Sequence, residues 1–128
     1  DYLAYGQMVR PLQIETPVIS LDYSFYNVPS GNQEKRESGM FTTKSVLHSA
    51  WLYKKDKLGL LFVNLQDKEL DVDVKVDPKE YGLTPKTRYA SYYVTTEKTR
   101  KIASFKTRTR KKIRLPPKKI VLIEIKPQ

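Results

Sequence analysis

The chain has 128 residues, no cysteine and a formal net charge of +10. One domain of this size buries roughly two-thirds of its unfolded surface, so it can hold a core without cross-links. The missing cysteines exclude disulfides, cysteine-ligated zinc and thiol chemistry together.

The first residue is Asp1, with no hydrophobic signal segment, and no apolar run approaches the ~20 residues a membrane-spanning helix needs. The chain is expected to be either processed or cut from a longer protein, the second being preferred, with no membrane partner. Residues 1–10 place Tyr2, Tyr5 and Val9, and Leu3 and Gln7, at spacings of three and four, which suits a short helix weakened by Gly6. Pro11 stops it, because proline removes a donor and biases the preceding residue toward extended geometry. Residues 1–11 are therefore expected to be a linker or the end of a preceding domain, and residues 12–128 a β-sandwich domain.

Residues 18–26, rich in β-branched and aromatic side chains, predict a strand. Residues 27–38 carry Pro, Gly, Asn and mixed charge without apolar periodicity, and predict an exposed, mobile loop. Order resumes at residues 40–43 and leads into residues 45–65, two apolar runs joined by the polar tip Lys54-Lys55-Asp56-Lys57. That pattern predicts a β-hairpin. Its first arm holds Trp51, the only tryptophan, and its second is apolar at nearly every position. A strand apolar on both alternating sets must be covered on both faces.

Further on, Leu70, Val72, Val74 and Val76 alternate with Asp71, Asp73 and Lys75, giving one dry face and one wet. Residues 78–84 predict one turn closed by Gly82, and residues 88–96, 102–105 and 110–115 predict short strands. After Pro116-Pro117, residues 120–125 form a closing strand, again apolar on both faces. The fold class is all-β: a two-sheet antiparallel β-sandwich of about eight short strands, with minimal helix at the N-terminus.

The only histidine, His48, precedes Ser49, but neighbours on a strand point to opposite faces, so the two make no nucleophile–base pair. Asp71, Asp73 and Asp77 resemble the start of a calcium loop. The pattern then fails, with Lys75 and Val76 at its fifth and sixth positions and Gly82 at its twelfth. The carboxylates Glu15, Asp22, Glu34, Glu37 and Glu97 show no pairing that would serve glycosidic chemistry. No catalytic residue, metal or cofactor is assigned.

Residues 98–119 hold 11 of the 24 Lys and Arg and no acidic residue. Arg100, Lys101, Arg108, Arg110, Lys112 and Arg114 are candidate ligands for a polyanion, since clustered cations release its condensed counterions. The competing reading is the solvated outer faces of two strands. No nucleic-acid-binding motif accompanies the charge, so the solvated-face reading is preferred; a carbohydrate or another polyanion is the candidate partner of the alternative, and nucleic acid is not expected. The aromatic groups Tyr23, Phe25, Tyr26 and Tyr89, Tyr92, Tyr93 read either as a platform for sugar rings or as core.

Three segments carry a resemblance. They are Tyr2-Leu3-Ala4-Tyr5-Gly6-Gln7-Met8-Val9-Arg10-Pro11, then Val46 to Trp51 with Leu58 to Asn64, and Leu115-Pro116-Pro117 through Ile125. In order and spacing they resemble the C-terminal β-sandwich domain of large, barrel-type glycoside hydrolases. The resemblance implies a noncatalytic accessory domain that packs on and stabilises an upstream catalytic barrel, with the catalytic carboxylates lying in that barrel. The hairpin tip departs from the family, which commonly has an Asp-Gly turn there. On this reading strands 58–65 and 120–125 neighbour one another, and Trp51, Leu60, Phe62 and Leu122 are candidates to pack on the barrel. The alternative is an independent binding module for polyanions or glycans that uses residues 98–119.

Overall fold

The computed structural model describes residues 2–27 and 35–128. The described residues form a short helix, α1 (Tyr2–Tyr5), and ten strands. The strands are β1 (Gln7–Val9), β2 (Val18–Asn27), β3 (Lys35–Lys44), β4 (Val46–Tyr53), β5 (Lys57–Asn64) and β6 (Leu70–Val76), then β7 (Tyr89–Val94), β8 (Thr99–Phe105), β9 (Thr109–Leu115) and β10 (Ile120–Pro127). All pairings are antiparallel, and the chain is all-β as its periodicities predict.

Two strands exceed the eight expected. β1 arises because residues 7–9, expected within the helical end, pair with β4 at Gln7↔Leu52, Met8↔Trp51 and Val9↔Ala50. β3 arises because residues 35–38, expected in a loop, pair with residues 24–27. Cross-strand hydrogen bonding here outweighs a composition that suggests a loop. The remainder of that expected loop, residues 28–34, lies outside the described residues.

The chain divides into two compact units, Asp1–Glu15 with Val46–Gln128, and Thr16–Ser45. The first contains a six-stranded sheet in the order β1-β4-β5-β10-β7-β8 and a two-stranded sheet of β6 and β9. Their inner faces share one core. β5 contributes Leu58, Leu60 and Phe62, β10 contributes Val121, Ile123 and Ile125, and β7 contributes Tyr89 and Tyr93. From the small sheet come Val72, Val74 and Val76 of β6, with Ile113 and Leu115 of β9. Leu12 and Ile14, beyond Pro11, join the same cluster.

Two polar contacts tie the layers across this core. The Tyr93 hydroxyl donates to the Arg114 carbonyl at 3.1 Å. Asn64, fully buried at the end of β5, donates from Nδ2 to the Leu115 carbonyl at 3.1 Å and to the Lys68 carbonyl at 2.8 Å. Its Oδ1 accepts from the Gln66 N–H at 3.0 Å, so one side chain closes the turn after β5 and joins it to β9.

The second unit is the β2–β3 hairpin. Tyr23 stacks on Phe25 with centroids 6.0 Å apart and lies 6.2 Å from Phe41, an aromatic group on one face of the ribbon. Opposite Tyr23 stands Gly39, where a Cβ would come within 2.7 Å of the Tyr23 hydroxyl. The glycine thus gives the ring a place to lie across the partner strand.

The tip of the β4–β5 hairpin holds Lys54 and Lys55 at φ 48° and 57°, with the Asp56 N–H bonded to the Tyr53 carbonyl at 3.0 Å. Two successive left-handed residues match the twist of a hairpin, but they suit Asn and Gly rather than side chains with a full Cβ. Replacing them together, Lys54→Asn and Lys55→Gly, should raise unfolding stability by about 1 kcal/mol, because the left-handed penalty is relieved and partly offset by glycine's entropy. A urea midpoint equal to or below that of the parent would contradict this turn geometry. In the opposite direction, Asn64→Ala should cost about 2–4 kcal/mol in the same assay, because buried partners in the turn and in β9 lose their hydrogen bonds.

Candidate functional site

Side chains alternate along each strand, so the residues between the core positions define the outer face of the six-stranded sheet. The register aligns them in rows. Leu47, Val63 and Ile120 form one, and Ser49, Leu61, Leu122 and Val94 the next. Met8, Trp51, Gly59, Glu124 and Tyr92 form a third. Met8, Leu47 and Ile120 are 62%, 51% and 60% exposed, while Leu61, Val63, Leu122 and Val94 are half-buried. Strands about 4.7–4.9 Å apart place neighbouring groups in van der Waals reach, so Leu47, Leu61, Val63, Ile120, Leu122 and Val94 form an apolar patch running across four strands, and Met8 of β1 lies beyond them opposite Trp51.

Helix α1 is anchored at the margin of this patch. A Cβ at position 59 would come within 3.1 Å of the Tyr2 ring and 3.2 Å of Leu122, so Gly59 provides the floor on which Tyr2 lies. Tyr53 meets the same ring edge-on at 6.3 Å, and the Tyr2 hydroxyl donates to Glu124 Oε2 at 2.9 Å. Burial pushes the Tyr2 phenol above its ordinary range, and the bond to Glu124 pushes it further. Lys126 lies 3.3 Å from the other Glu124 oxygen and 4.6 Å above the Tyr92 ring.

Of the four residues expected to pack on another domain, Trp51 and Leu122 lie on this outer face, and Trp51 donates from Nε1 to the Ser49 hydroxyl at 2.9 Å. Leu60 and Phe62 do not. Each is 1% exposed in the inner core, and the outward residues of β5 are Leu61 and Val63. Both alternating sets of β5 are apolar, so periodicity alone could not separate them. Sequence reasoning also passed over the perch of Tyr2. An isolated glycine in an apolar strand was its signal, since such a glycine often marks close approach of another group.

His48 stacks on Phe62 at 6.2 Å on the inner side, while Ser49 faces outward to Trp51. Within the first unit, Tyr89 and Tyr93 are buried and Tyr92 lies beneath Lys126, so these three form no open platform. In the second unit, Tyr23 and Phe25 are partly exposed.

The basic tract is divided by the strand register. Arg110, Lys112 and Arg114 lie on the wet face of β9, opposite Lys75, Asp73 and Asp71 of β6. Arg110 Nε and Nη2 donate to Asp73 Oδ2 at 2.9 and 2.6 Å, and Arg114 Nε donates to Asp71 Oδ1 at 3.1 Å. The hydrogen bond from Arg110 holds the Asp73 carboxyl below its ordinary value. Asp77 accepts from the Lys79 N–H at 3.0 Å and caps the 3-10 turn Pro78–Tyr81. Each aspartate of the incomplete calcium pattern thus has a structural partner, and no metal-ligating group of three appears among the described residues.

The six candidate cations separate into three places. Arg100, Lys112 and Arg114 line a groove of about 330 Å³ with Lys98, which the sequence reading had not singled out. Arg108 and Arg110 line another of about 610 Å³ together with Lys75, Asp77 and Glu80. Lys101 pairs with Tyr92 and belongs to the opposite face of β8 from Arg100.

No family model, curated protein or solved structure matches the chain.

A carboxylate with a lowered folded pKa stabilises above its unfolded value and loses that contribution as pH falls through the folded one. Asp73 is solvent-screened, so its titration is a more sensitive readout than global stability. By carbon NMR it should titrate below the usual ~3.9 and move up toward that value in Arg110→Ala. An unchanged titration in the variant would mean that the pair does not persist in solution.

Proposed function

We propose that the chain is a noncatalytic accessory β-sandwich that packs on, and stabilises, a preceding glycoside hydrolase-like barrel of the same polypeptide. The supporting observation is the apolar outer face formed by Leu47, Leu61, Val63, Val94, Ile120 and Leu122. The outer face of an antiparallel sandwich ordinarily alternates to polar residues because it meets water. The helix α1 reaches the same face through Tyr2, so a domain preceding residue 2 would join the sandwich on its apolar side. The likeness of residues 2–11, the Trp51 hairpin and the closing strand to sandwiches that follow barrels supports the choice of domain.

The energetics suit such docking. Fully burying a leucine or valine side chain contributes about 1.5–3 kcal/mol, and half-buried ones retain part of that to give. Covalent linkage supplies an effective concentration in the millimolar range, so a modest patch is enough to hold two domains together. In this arrangement the barrel carries out glycoside hydrolysis and the sandwich supplies rigidity.

The 128 residues contain no cysteine, which makes single thiol probes clean. Leu61→Cys and Leu122→Cys should react readily with a maleimide in the 128-residue chain. They should become at least about tenfold slower in the longer polypeptide that includes the preceding domain, read by peptide mass, as expected for burial in an interface. Lys86→Cys, in an exposed loop, should react equally in both. Equal labelling of Leu61→Cys in the two proteins would refute the docking, and a preceding domain without glycoside hydrolase activity would refute the assignment of the partner.

A further inference from the structure

Beyond the apolar face, the open side of the sandwich has chemistry of its own. The edge strand β8 of the large sheet and the edge strand β9 of the small one form the lips of the groove holding Lys98, Arg100, Lys112 and Arg114. Among the described residues, Glu69 is the only acidic one lining it, 3.7 Å from Arg114. We propose that this groove binds an acidic polysaccharide through its carboxylate or sulfate groups.

The cations are held in place as well as concentrated. The Arg100 guanidinium lies 5.8 Å from the centroid of the Tyr93 ring, and Tyr93 is itself fixed by its bond to the Arg114 carbonyl. Arg114 is oriented by Asp71. Arginines positioned in this way lose less freedom on meeting an anion and present a planar fork suited to carboxylate or sulfate. Lys112 and Arg114 are two residues apart on one strand face, about 6.6–6.8 Å along it, so the positive charge recurs along a line. A line of cations matches a polymer with repeating anions better than a single small anion.

The second groove shows why this one is selected. There Asp73, Asp77 and Glu80 balance Lys75, Arg108 and Arg110, whereas in the first groove Asp71 and Glu69 engage Arg114 and leave Lys98, Arg100 and Lys112 in excess. Nucleic acid is the less suitable partner, because single strands are held largely by stacking bases on exposed rings. The aromatic residue here, Tyr93, is buried, with Arg100 over its ring and its hydroxyl already bonded. Edge-strand protection also uses Lys and Arg. It requires only charge along the edge, not cations converging from two sheets on one groove.

The test compares two variants of the 128-residue chain with equal loss of charge, Arg100→Gln/Lys112→Gln in the groove and Lys86→Gln/Lys101→Gln away from it. Binding to heparin, polygalacturonate and single-stranded oligothymidylate is titrated at several salt concentrations, with thermal unfolding as the check on folding. The parent should bind a glycan probe more tightly than oligothymidylate. Binding to heparin alone would identify sulfate as the recognised group, and binding to polygalacturonate as well would add carboxylate. The groove variant should lose roughly tenfold in affinity and about 1.5 in the slope of log affinity against log salt, and the control less than about twofold in affinity. Four results would overturn the proposal: no glycan binding by the parent, equal loss in both variants, tighter oligothymidylate binding abolished by the groove pair, or self-association of the groove variant with glycan binding intact. Should the double variant unfold early, Lys112→Gln alone carries the comparison with a proportionally smaller loss.

Discussion

The β5–β10 pair is the constraint on which the first unit depends. These neighbouring strands sit at the centre of a six-stranded sheet and carry apolar side chains on both faces. Leu58, Leu60, Phe62, Val121, Ile123 and Ile125 require a second layer, and β6 and β9 provide it with Val72, Val74, Val76, Ile113 and Leu115. Asn64 then joins the end of β5 to β9 through a fully buried amide, where an unpaired polar group would be costly. Among the described residues of this unit, the opposite side has no equivalent second layer. It has α1, seated through Tyr2 on the bare backbone of Gly59, and beside it a patch of apolar residues still partly in water.

Charge is arranged by the same topology. The acidic alternation of β6 and the basic alternation of β9 lie far apart in sequence, yet antiparallel pairing sets Asp71 against Arg114 and Asp73 near Arg110. Two features that are separate when read along the chain, an incomplete metal loop and a basic tract, thereby become one cross-strand ladder of ion pairs. Exposed pairs of this kind contribute little to stability, typically about 0–1 kcal/mol each. Their larger effect is to direct which cations stay available. Arg110 is engaged by a carboxylate, whereas Arg100 is backed by the Tyr93 ring and remains turned toward a groove with a single acidic residue.

The two grooves and the apolar face occupy different surfaces of the first unit, so an accessory role in domain packing and an anion-binding role are compatible. Trp51 belongs to the outer face of the six-stranded sheet. Its indole N–H is bonded to Ser49 on the same face, and Met8 of β1 stands opposite it. The hairpin that carries Trp51 also depends on a turn of two left-handed lysines, a local cost borne next to the strands that are apolar on both faces.

Sequence by itself determined the strand character of most of the chain, because alternation in residues 70–76 and β-branched or aromatic enrichment elsewhere reflect local backbone and side-chain geometry. It also determined that β5 and β10 are apolar on both sides, and that His48 and Ser49 point apart. It could not assign Leu60 and Phe62 to the core and Leu61 and Val63 to the surface, because both sets are equally apolar and only pairing with β4 and β10 breaks the symmetry. The strands β1 and β3 were decided by partners, since residues 7–9 and 35–38 carry weak local signals and gain their hydrogen bonds from other segments. Tertiary structure alone decided which basic residues converge, because a run of charges in sequence is distributed by strand alternation over opposite faces, and only the meeting of β8 with β9 returns some of them to one groove.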